Sequence, residues 1–175
     1  FMENPRLFVS SQKKLRRAQH SLSRKKKRVA NRNKARILVA KQHCRIRRQR
    51  LDFHHKVARQ LVNKYDLMAI EDLQVANMVK NHCLAKHILD AGWSQFASIL
   101  TFKAEETGKS VVRVNPAYTS QACSGCGCLV HKELSVRWHS CPDCGLSLHR
   151  DVNAARNILK KAGALPLGGN VAVRI

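Results

Sequence analysis

Two pairs of cysteines with the same spacing are the clearest chemical signal in this sequence of 175 residues. Two residues separate the cysteines of each pair and a glycine follows the second; the pairs are Cys123/Cys126 and Cys141/Cys144. This spacing lets both thiolates reach one tetrahedral ion, and the glycine allows the chain to turn tightly around it. Four sulfur ligands leave no open position for a substrate, so the pattern predicts a structural zinc ion.

Two alternatives to this zinc site are open from the sequence. Pairs of this spacing also occur as redox-active thiols, although in a reducing compartment they point first to metal binding. Four side chains close to the pairs could also replace one of the ligands: Cys128, His131, His139 and His149.

Arg137 and Trp138 lie on the segment between the two cysteine pairs. Zinc ribbons can bind nucleic acid, and an indole can stack on a base while a guanidinium contacts the phosphate backbone. The competing interpretation is that both are ordinary hairpin residues.

Glu71 ends a short apolar segment, residues 66–73, that is typical of a buried strand. Since α/β sheets bind ligands at the carboxyl ends of their strands, Glu71 is a candidate metal ligand. Asp72 is adjacent and could serve instead, and either acid could simply face solvent.

Asp151 follows Cys144 by seven residues and lies where the last helix is expected to begin. Aspartate is a preferred helix N-cap, a role worth about 1 kcal/mol, so capping competes with metal binding here. Together with Glu71, Asp151 could hold Mg²⁺ or Mn²⁺ ions that activate water for phosphodiester cleavage. Such sites usually contain three or more acidic groups, and the sequence offers these two.

The charge of the chain favours a polyanionic partner, DNA or RNA. There are 33 Lys and Arg residues against 11 Asp and Glu, a formal net charge of +22. Residues 1–66 alone contain 21 of the basic residues and three of the acidic ones. We expect this half to contact phosphates without reading bases. The candidate residues are Lys13, Lys14, Arg16, Arg17, Arg24, Lys25, Lys26, Lys27, Arg28 and Arg32.

Membranes and secretion are not indicated by the sequence. No apolar run approaches the roughly 20 residues that a spanning helix needs, and the first residues contain no apolar signal segment. We therefore expect a cytoplasmic protein with no membrane partner.

The elements that must position these residues follow an α/β order, with parallel strands expected. Residues 10–65 contain no Gly or Pro and are rich in helix formers, and residues 23–34 are expected to connect two antiparallel helices. The full predicted order is helix, strand, helix, strand, insertion and helix, at residues 10–65, 66–73, 84–107, 110–116, 118–149 and 152–161.

Several motifs, taken in order, resemble the TnpB (OrfB) family of transposon-encoded, RuvC-like nucleases, which are related to compact type V CRISPR effectors. The motifs are "NPR", "KKLRRAQHSLSRKKK", "NRNKAR", "AIEDL", "LDAGWSQF", "VNPAYTSQACSGCG", "CPDCG" and "HRDVNAARNIL". The resemblance implies an RNase H-like (RuvC) sheet with long basic helices and an inserted zinc ribbon. It divides the chain into a RuvC-like domain at 1–117 and 150–163, a ribbon at 118–149 and a C-terminal tail at 164–175.

The same resemblance implies RNA-guided cleavage of DNA at a site of three carboxylates and Mg²⁺. The family's second acid falls on Glu71, in preference to Asp72, and its last acid falls on Asp151. The four zinc cysteines of the family fall on Cys123, Cys126, Cys141 and Cys144.

The chain departs from the family pattern at the first catalytic aspartate, which lies upstream of "NPR" in the family. The earliest aspartate here is Asp52, within a cationic helix. We therefore expect an incomplete RuvC sheet without the N-terminal half that binds the guide RNA, and little or no cleavage by this chain alone. A non-catalytic nucleic-acid-binding protein and a remnant without function are the alternatives.

Overall fold

The computed structural model describes residues 4–133 and 135–163, together with the backbone of 171–173. The described residues form a mixed α/β structure with two small sheets. In chain order the elements are α1 (Leu7–Ser23), α2 (Ala30–Lys64), β1 (Leu67–Glu71), α3 (Val75–Met78), α4 (His82–Ala91), α5 (Trp93–Glu105), β2 (Ser110–Val114), β3 (Trp138–Ser140), β4 (Ser147–His149), α6 (Arg150–Lys161) and β5 (Val171–Val173).

The chain divides into two compact units. The first unit contains Ala58–Gln74 and Ala97–Ile175, and so includes both sheets, the cysteine-rich segment and α6. The second unit contains Met2–Val57 and Val75–Phe96, and so includes α1, most of α2, α3 and α4.

The larger sheet of the first unit has the strand order β2-β1-β5, and both pairings are parallel. The predicted parallel pairing of the two apolar strands is confirmed, with Leu67 opposite Ser110 and Glu71 opposite Val114. Helix α6 packs on this sheet, because Ile158 joins Ala69 and Val114 in one buried cluster. Since burial of apolar area favours this packing, the helix is held against the carboxyl half of the strands.

The strand β5 lies within residues 164–175, for which the sequence predicted no element. Its backbone pairs with Leu67–Ala69 of β1. The short length of this apolar segment provides too little periodicity to predict a strand.

The second unit is organised around Asp90, at the end of α4. The Asp90 carboxylate accepts hydrogen bonds from Phe8 N at 2.9 Å and Arg50 Nη2 at 3.0 Å. Its side chain is only 2% exposed. Asp90 therefore satisfies first-turn N–H groups of α1 and pairs with a cation of α2, which ties three helices together.

The single helix predicted at residues 84–107 is wrong, since α4 and α5 are separated by Gly92. Gly92 has φ +64°, and its N–H donates to Ile88 O at 3.2 Å, which ends α4 in a left-handed cap. A Cβ at this position would lie 3.0 Å from both Arg50 Cδ and His54 Cε1. The break depends on this close approach as well as on glycine's backbone freedom.

The basic half of the chain forms two helices, as predicted, but the connection between them is shorter than residues 23–34. It spans residues 24–29 only. The Arg32 guanidinium stabilises this tight turn by donating to Lys25 O at 2.9 Å and Leu22 O at 3.3 Å. Among the described residues, none of the helices combines the length and apolar character needed to cross a bilayer.

Candidate metal sites and nucleic-acid interface

The structure brings the four predicted cysteines together. Their Sγ atoms all lie within 4.8 Å of one another, with 3.6 Å between those of Cys123 and Cys144 and 3.5 Å between those of Cys126 and Cys141. Gly125 avoids a close contact at this point, because a Cβ there would lie 3.3 Å from the Cys144 sulfur. Four clustered thiols are the donor set that a structural zinc ion takes, so the residues present fit the predicted ion.

The alternative ligands do not join this cluster. In residues 4–133 and 135–163, the cysteine quartet is the only set of three or more His, Cys, Asp or Glu side chains placed to share one metal ion. Cys128, His131, His139 and His149 lie outside it.

The backbone around the cysteines stabilises part of the negative charge of the cluster. Burial raises the pKa of the Cys123 thiol, but hydrogen bonds from the Cys126 and Gly125 N–H groups and from the His139 ring outweigh burial and lower it to about 5. At Cys126 the backbone N–H of Cys128 acts to lower the pKa, but the neighbouring thiols, Cys141 foremost, outweigh it and raise the pKa to about 12. Without a cation the cluster therefore holds protons that metal binding would release.

Glu71 is the last residue of β1, and its carboxylate is held by a side chain of the loop that follows β2. Thr119 Oγ1 donates to Glu71 Oε1 at 2.6 Å. Asp72 instead lies 3.6 Å from Arg113 Nη1, and both side chains are about half exposed, at 51% and 47%. The adjacent acids thus have different surroundings, since successive strand residues point to opposite faces.

Asp151 lies in the first turn of α6, but it is not the N-cap. The cap is His149, whose Nδ1 accepts from Asp151 N at 3.3 Å. The capping interpretation of Asp151 is therefore wrong, because α6 begins at Arg150, two residues earlier than predicted. The Asp151 carboxylate is 41% exposed, and its position near the positive end of the helix dipole stabilises its charge.

The two candidate carboxylates are connected through Thr119 and α6. The Thr119 carbonyl accepts from Asn157 Nδ2 at 2.9 Å, while its hydroxyl donates to Glu71. Asn157 follows Asp151 by six residues, which is about 9 Å along the helix axis. Among the described residues no third acidic or histidine side chain joins Glu71 and Asp151 in a common metal site.

The residues that sequence reasoning missed are Thr119, Asn153 and Asn157. All three are buried, and both asparagines bond the segment that leads into the first cysteine pair. Asn153 Oδ1 accepts from Ser124 N at 2.8 Å, and the Nδ2 atoms of both asparagines donate to Ala122 O at 2.7 Å. A sequence signal exists, because two asparagines four residues apart flank the core residues Ala154 and Ile158 on one helix face.

Nine of the ten predicted phosphate-binding side chains are exposed, and in the described part of the chain none forms an ion pair. Lys13, Arg16 and Arg17 line one cavity of about 660 Å³ along α1. Arg32 is the exception, since it is half-buried and its guanidinium bonds the turn between α1 and α2. Arg32 is therefore at least partly structural.

On the ribbon, Trp138 and Arg137 are both exposed. Residue Trp138 is 55% exposed, its Nε1 donates to Ser147 Oγ at 2.7 Å, and the His149 ring contacts the indole edge-on. An indole anchored in this way presents a fixed surface on which a base could stack.

Two family models match adjoining parts of this chain. Residues 1–82 match the OrfB_IS605 family, described as "Probable transposase", and residues 93–158 match the family described as "Cas12f1-like, TNB domain". "TnpB-like protein L79" of Acanthamoeba polyphaga mimivirus is 34% identical to this chain over 147 residues. The match covers 80% of this chain and 27% of the length of the mimivirus protein. The chain belongs to the TnpB (OrfB) family. The resemblance predicted from the motifs is confirmed.

The name of a second relative describes an activity. A "Putative RNA-guided DNA endonuclease" of Streptomyces pristinaespiralis is 43% identical to this chain over 158 residues. The match covers 89% of this chain and 39% of the length of the Streptomyces protein. The chain therefore spans about two fifths of that relative.

Among solved structures, this chain is similar to a protein chain of the structure titled "Cryo-EM structure of the Cas12f1-sgRNA-target DNA complex". The TM-score is 0.61 and the identity 20%, over 90% of this chain and 42% of the other. At this identity the likeness concerns the fold. The mixed α/β fold and the cysteine cluster of the TnpB family are confirmed, whereas the roles of Glu71 and Asp151 stay predictions.

Proposed function

We propose that this chain is the RuvC-like part of an RNA-guided DNA endonuclease, located in the cytoplasm. The observation that carries the proposal is the placement of Glu71. It ends a strand in the middle of a parallel sheet, and Thr119 joins it to the helix that presents Asp151. Parallel sheets bind ligands at this edge. The sheet is an incomplete RNase H-like one, with residues 1–117 and 150–163 as the nuclease domain, 118–149 as the ribbon and 164–175 as a tail.

The cysteine quartet is proposed as a structural zinc site. A bound zinc ion would crosslink the two cysteine pairs and supply folding free energy to the ribbon. The second pair leads within seven residues to Asp151, so the ribbon helps to fix the start of α6.

Glu71 and Asp151 are proposed as ligands of Mg²⁺ or Mn²⁺, together with a third acid that the described residues do not provide. A divalent ion at such a site activates water and stabilises the leaving oxygen of a phosphodiester. Glu71 and Asp151 would place carboxylate oxygens beside the scissile phosphate. The basic side chains of α1 would bind the phosphates of the DNA strand. Since the described residues offer only two of the three acids, we expect cleavage by this chain alone to be slow.

A guide RNA and a target DNA are the proposed partners, as the names of the relatives suggest. The exposed basic residues of α1 and of the turn after it, with Arg137 and Trp138 of the ribbon, are the proposed contacts. If six or more phosphates are neutralised, affinity falls about 10³–10⁵-fold between roughly 50 and 200 mM salt.

The test is Mn²⁺-dependent cleavage of single-stranded DNA by the purified, zinc-loaded chain. We expect weak cleavage that Glu71→Gln and Asp151→Asn both abolish. The matched control is Asp72→Asn, which removes the adjacent, half-exposed acid and leaves cleavage unchanged.

A second function, non-catalytic binding of nucleic acid, is favoured by the absence of a third acid from the described site. Salt-sensitive DNA binding without cleavage in any variant would establish this function in place of the first.

A further inference from the structure

The hydroxyl of Thr119 has one proton and two acceptors within reach. Oγ1 lies 2.6 Å from Glu71 Oε1 and 3.0 Å from Pro116 O. Hydrogen bonds to an ionised carboxylate are shorter and about twice as strong as those to a neutral carbonyl. The proton therefore goes to Glu71, and Thr119 is only 4% exposed, so water has little access to replace this bond.

Thr119 is itself held in place by α6. Its carbonyl accepts from Asn157 Nδ2, and the same amide donates to Ala122 O. Asn153 bonds the next part of the loop through Ala122 O and Ser124 N. Because these groups are buried, a displacement of Thr119 would leave several of them without a hydrogen-bond partner, which is unfavourable.

We propose that Thr119 is the positioning residue of Glu71: its hydroxyl binds Oε1 and thereby orients Oε2 towards a divalent cation. Among the described residues Oε2 makes no hydrogen bond. The inference rests on the proposed function, since it assumes that Glu71 is a metal ligand. Hydrogen-bonded partners of ligating carboxylates typically change metal affinity about 10–100-fold when removed.

Thr119 also links the cysteine cluster to Glu71, because Cys123 follows it by four residues. One cysteine pair thus leads to Glu71 and the other to Asp151. The same ribbon would therefore help to orient both carboxylates.

The test measures Mn²⁺ binding to the zinc-loaded chain by paramagnetic broadening of NMR signals from residues 67–73 and by electron paramagnetic resonance of free Mn²⁺. The variants are Thr119→Val, which keeps the shape and removes the hydroxyl, and Thr119→Ser, which keeps the hydroxyl. We expect Thr119→Val to weaken binding at Glu71 about tenfold and Thr119→Ser to stay within about twofold of the unsubstituted chain.

The control is Thr101→Val, which removes a hydroxyl bonded to a helix carbonyl, Ala97 O, at 2.9 Å. It should leave Mn²⁺ binding unchanged, and thermal melting shows whether each variant is folded. A weakened Thr119→Val that Thr119→Ser does not rescue would mean a purely structural role and would overturn the proposal.

Failure of the inference can be told from failure of the proposed function. If Mn²⁺ broadens signals at Glu71 in the unsubstituted chain but equally in Thr119→Val, Thr119 does not position the carboxylate, and the metal site stands. If Glu71→Gln does not reduce broadening at residues 67–73, Glu71 is not a ligand, and both proposals are wrong.

Discussion

At the scale of single residues, Glu71 and Asp90 show how surroundings assign different roles to the same type of side chain. Asp90 is 2% exposed, and its partners are all donors, Arg50 and the N–H groups of Phe8 and Val9. Glu71 is half-buried and has one fixed oxygen. Asp90 is therefore a structural acid of the second unit, whereas one oxygen of Glu71 has no hydrogen bond from the described residues.

The substitution Asp90→Asn should destabilise the second unit by about 3 kcal/mol, because it leaves the half-buried Arg50 guanidinium without its counter-charge. Arg50 Nε already lacks a partner among the described residues, so the guanidinium has little to compensate the loss. The measurement is the free energy of unfolding in urea. Asp52→Asn is the control, since Asp52 pairs with Lys56 at 2.7 Å but is 63% exposed, and should change stability by less than about 1 kcal/mol. Equal effects of the two substitutions would contradict the structural role of Asp90.

At the scale of elements, the boundaries of helices depend on glycines whose surroundings differ. Gly92 and Gly108 have nearly the same backbone, with φ +64° and +66°. A Cβ at Gly92 meets Arg50 and His54 at 3.0 Å, whereas a Cβ at Gly108 meets nothing within 4 Å. The first glycine is needed for backbone conformation and for space, and the second for conformation alone.

This difference predicts a larger loss of stability for Gly92→Ala than for Gly108→Ala. The left-handed backbone should make both substitutions cost about 1 kcal/mol, and displacement of the buried His54 ring should raise the loss at Gly92 to about 2–3 kcal/mol. Urea unfolding of both variants measures the difference directly. If both variants lose the same free energy of unfolding, the close contact at Gly92 does not contribute to stability.

At the scale of the whole molecule, the cysteine cluster and α6 form one structural system in the first unit. The loop before Cys123 is bonded to α6 through Asn153 and Asn157, and α6 packs on the sheet through Ile158. A metal ion at the cysteines would therefore stabilise more than the ribbon itself.

Removal of zinc with a chelator should increase hydrogen exchange in the ribbon and in the loop that holds Thr119. The amides of Gly127 and Gly145, bonded to Cys123 O and Cys141 O, should exchange at least tenfold faster, as should Ser124 N. Amides of α4, which contains no ligand, serve as the internal reference. Exchange that is unchanged after the metal is removed would show that the cluster does not stabilise this region.

Much of the candidate site could be predicted from the sequence because it depends on local spacing. Two residues between cysteines, an acid at the end of an apolar strand, and an amphipathic last helix are patterns of neighbours in the chain. The structure confirms the cysteine cluster, the parallel pairing of β1 with β2, and α6. The concentration of positive charge and the family membership were likewise readable from composition and ordered motifs.

Tertiary structure alone decided which distant groups meet. Thr119 bonds Glu71 across 48 positions of sequence, and Asp90 bonds Phe8 across 82. The break at Gly92, the cap at His149 and the strand β5 also depend on contacts or on backbone angles that no local pattern encodes. The physical reason is that hydrogen bonds and packing act over a few ångströms in space, whereas sequence patterns report only on neighbours along the chain.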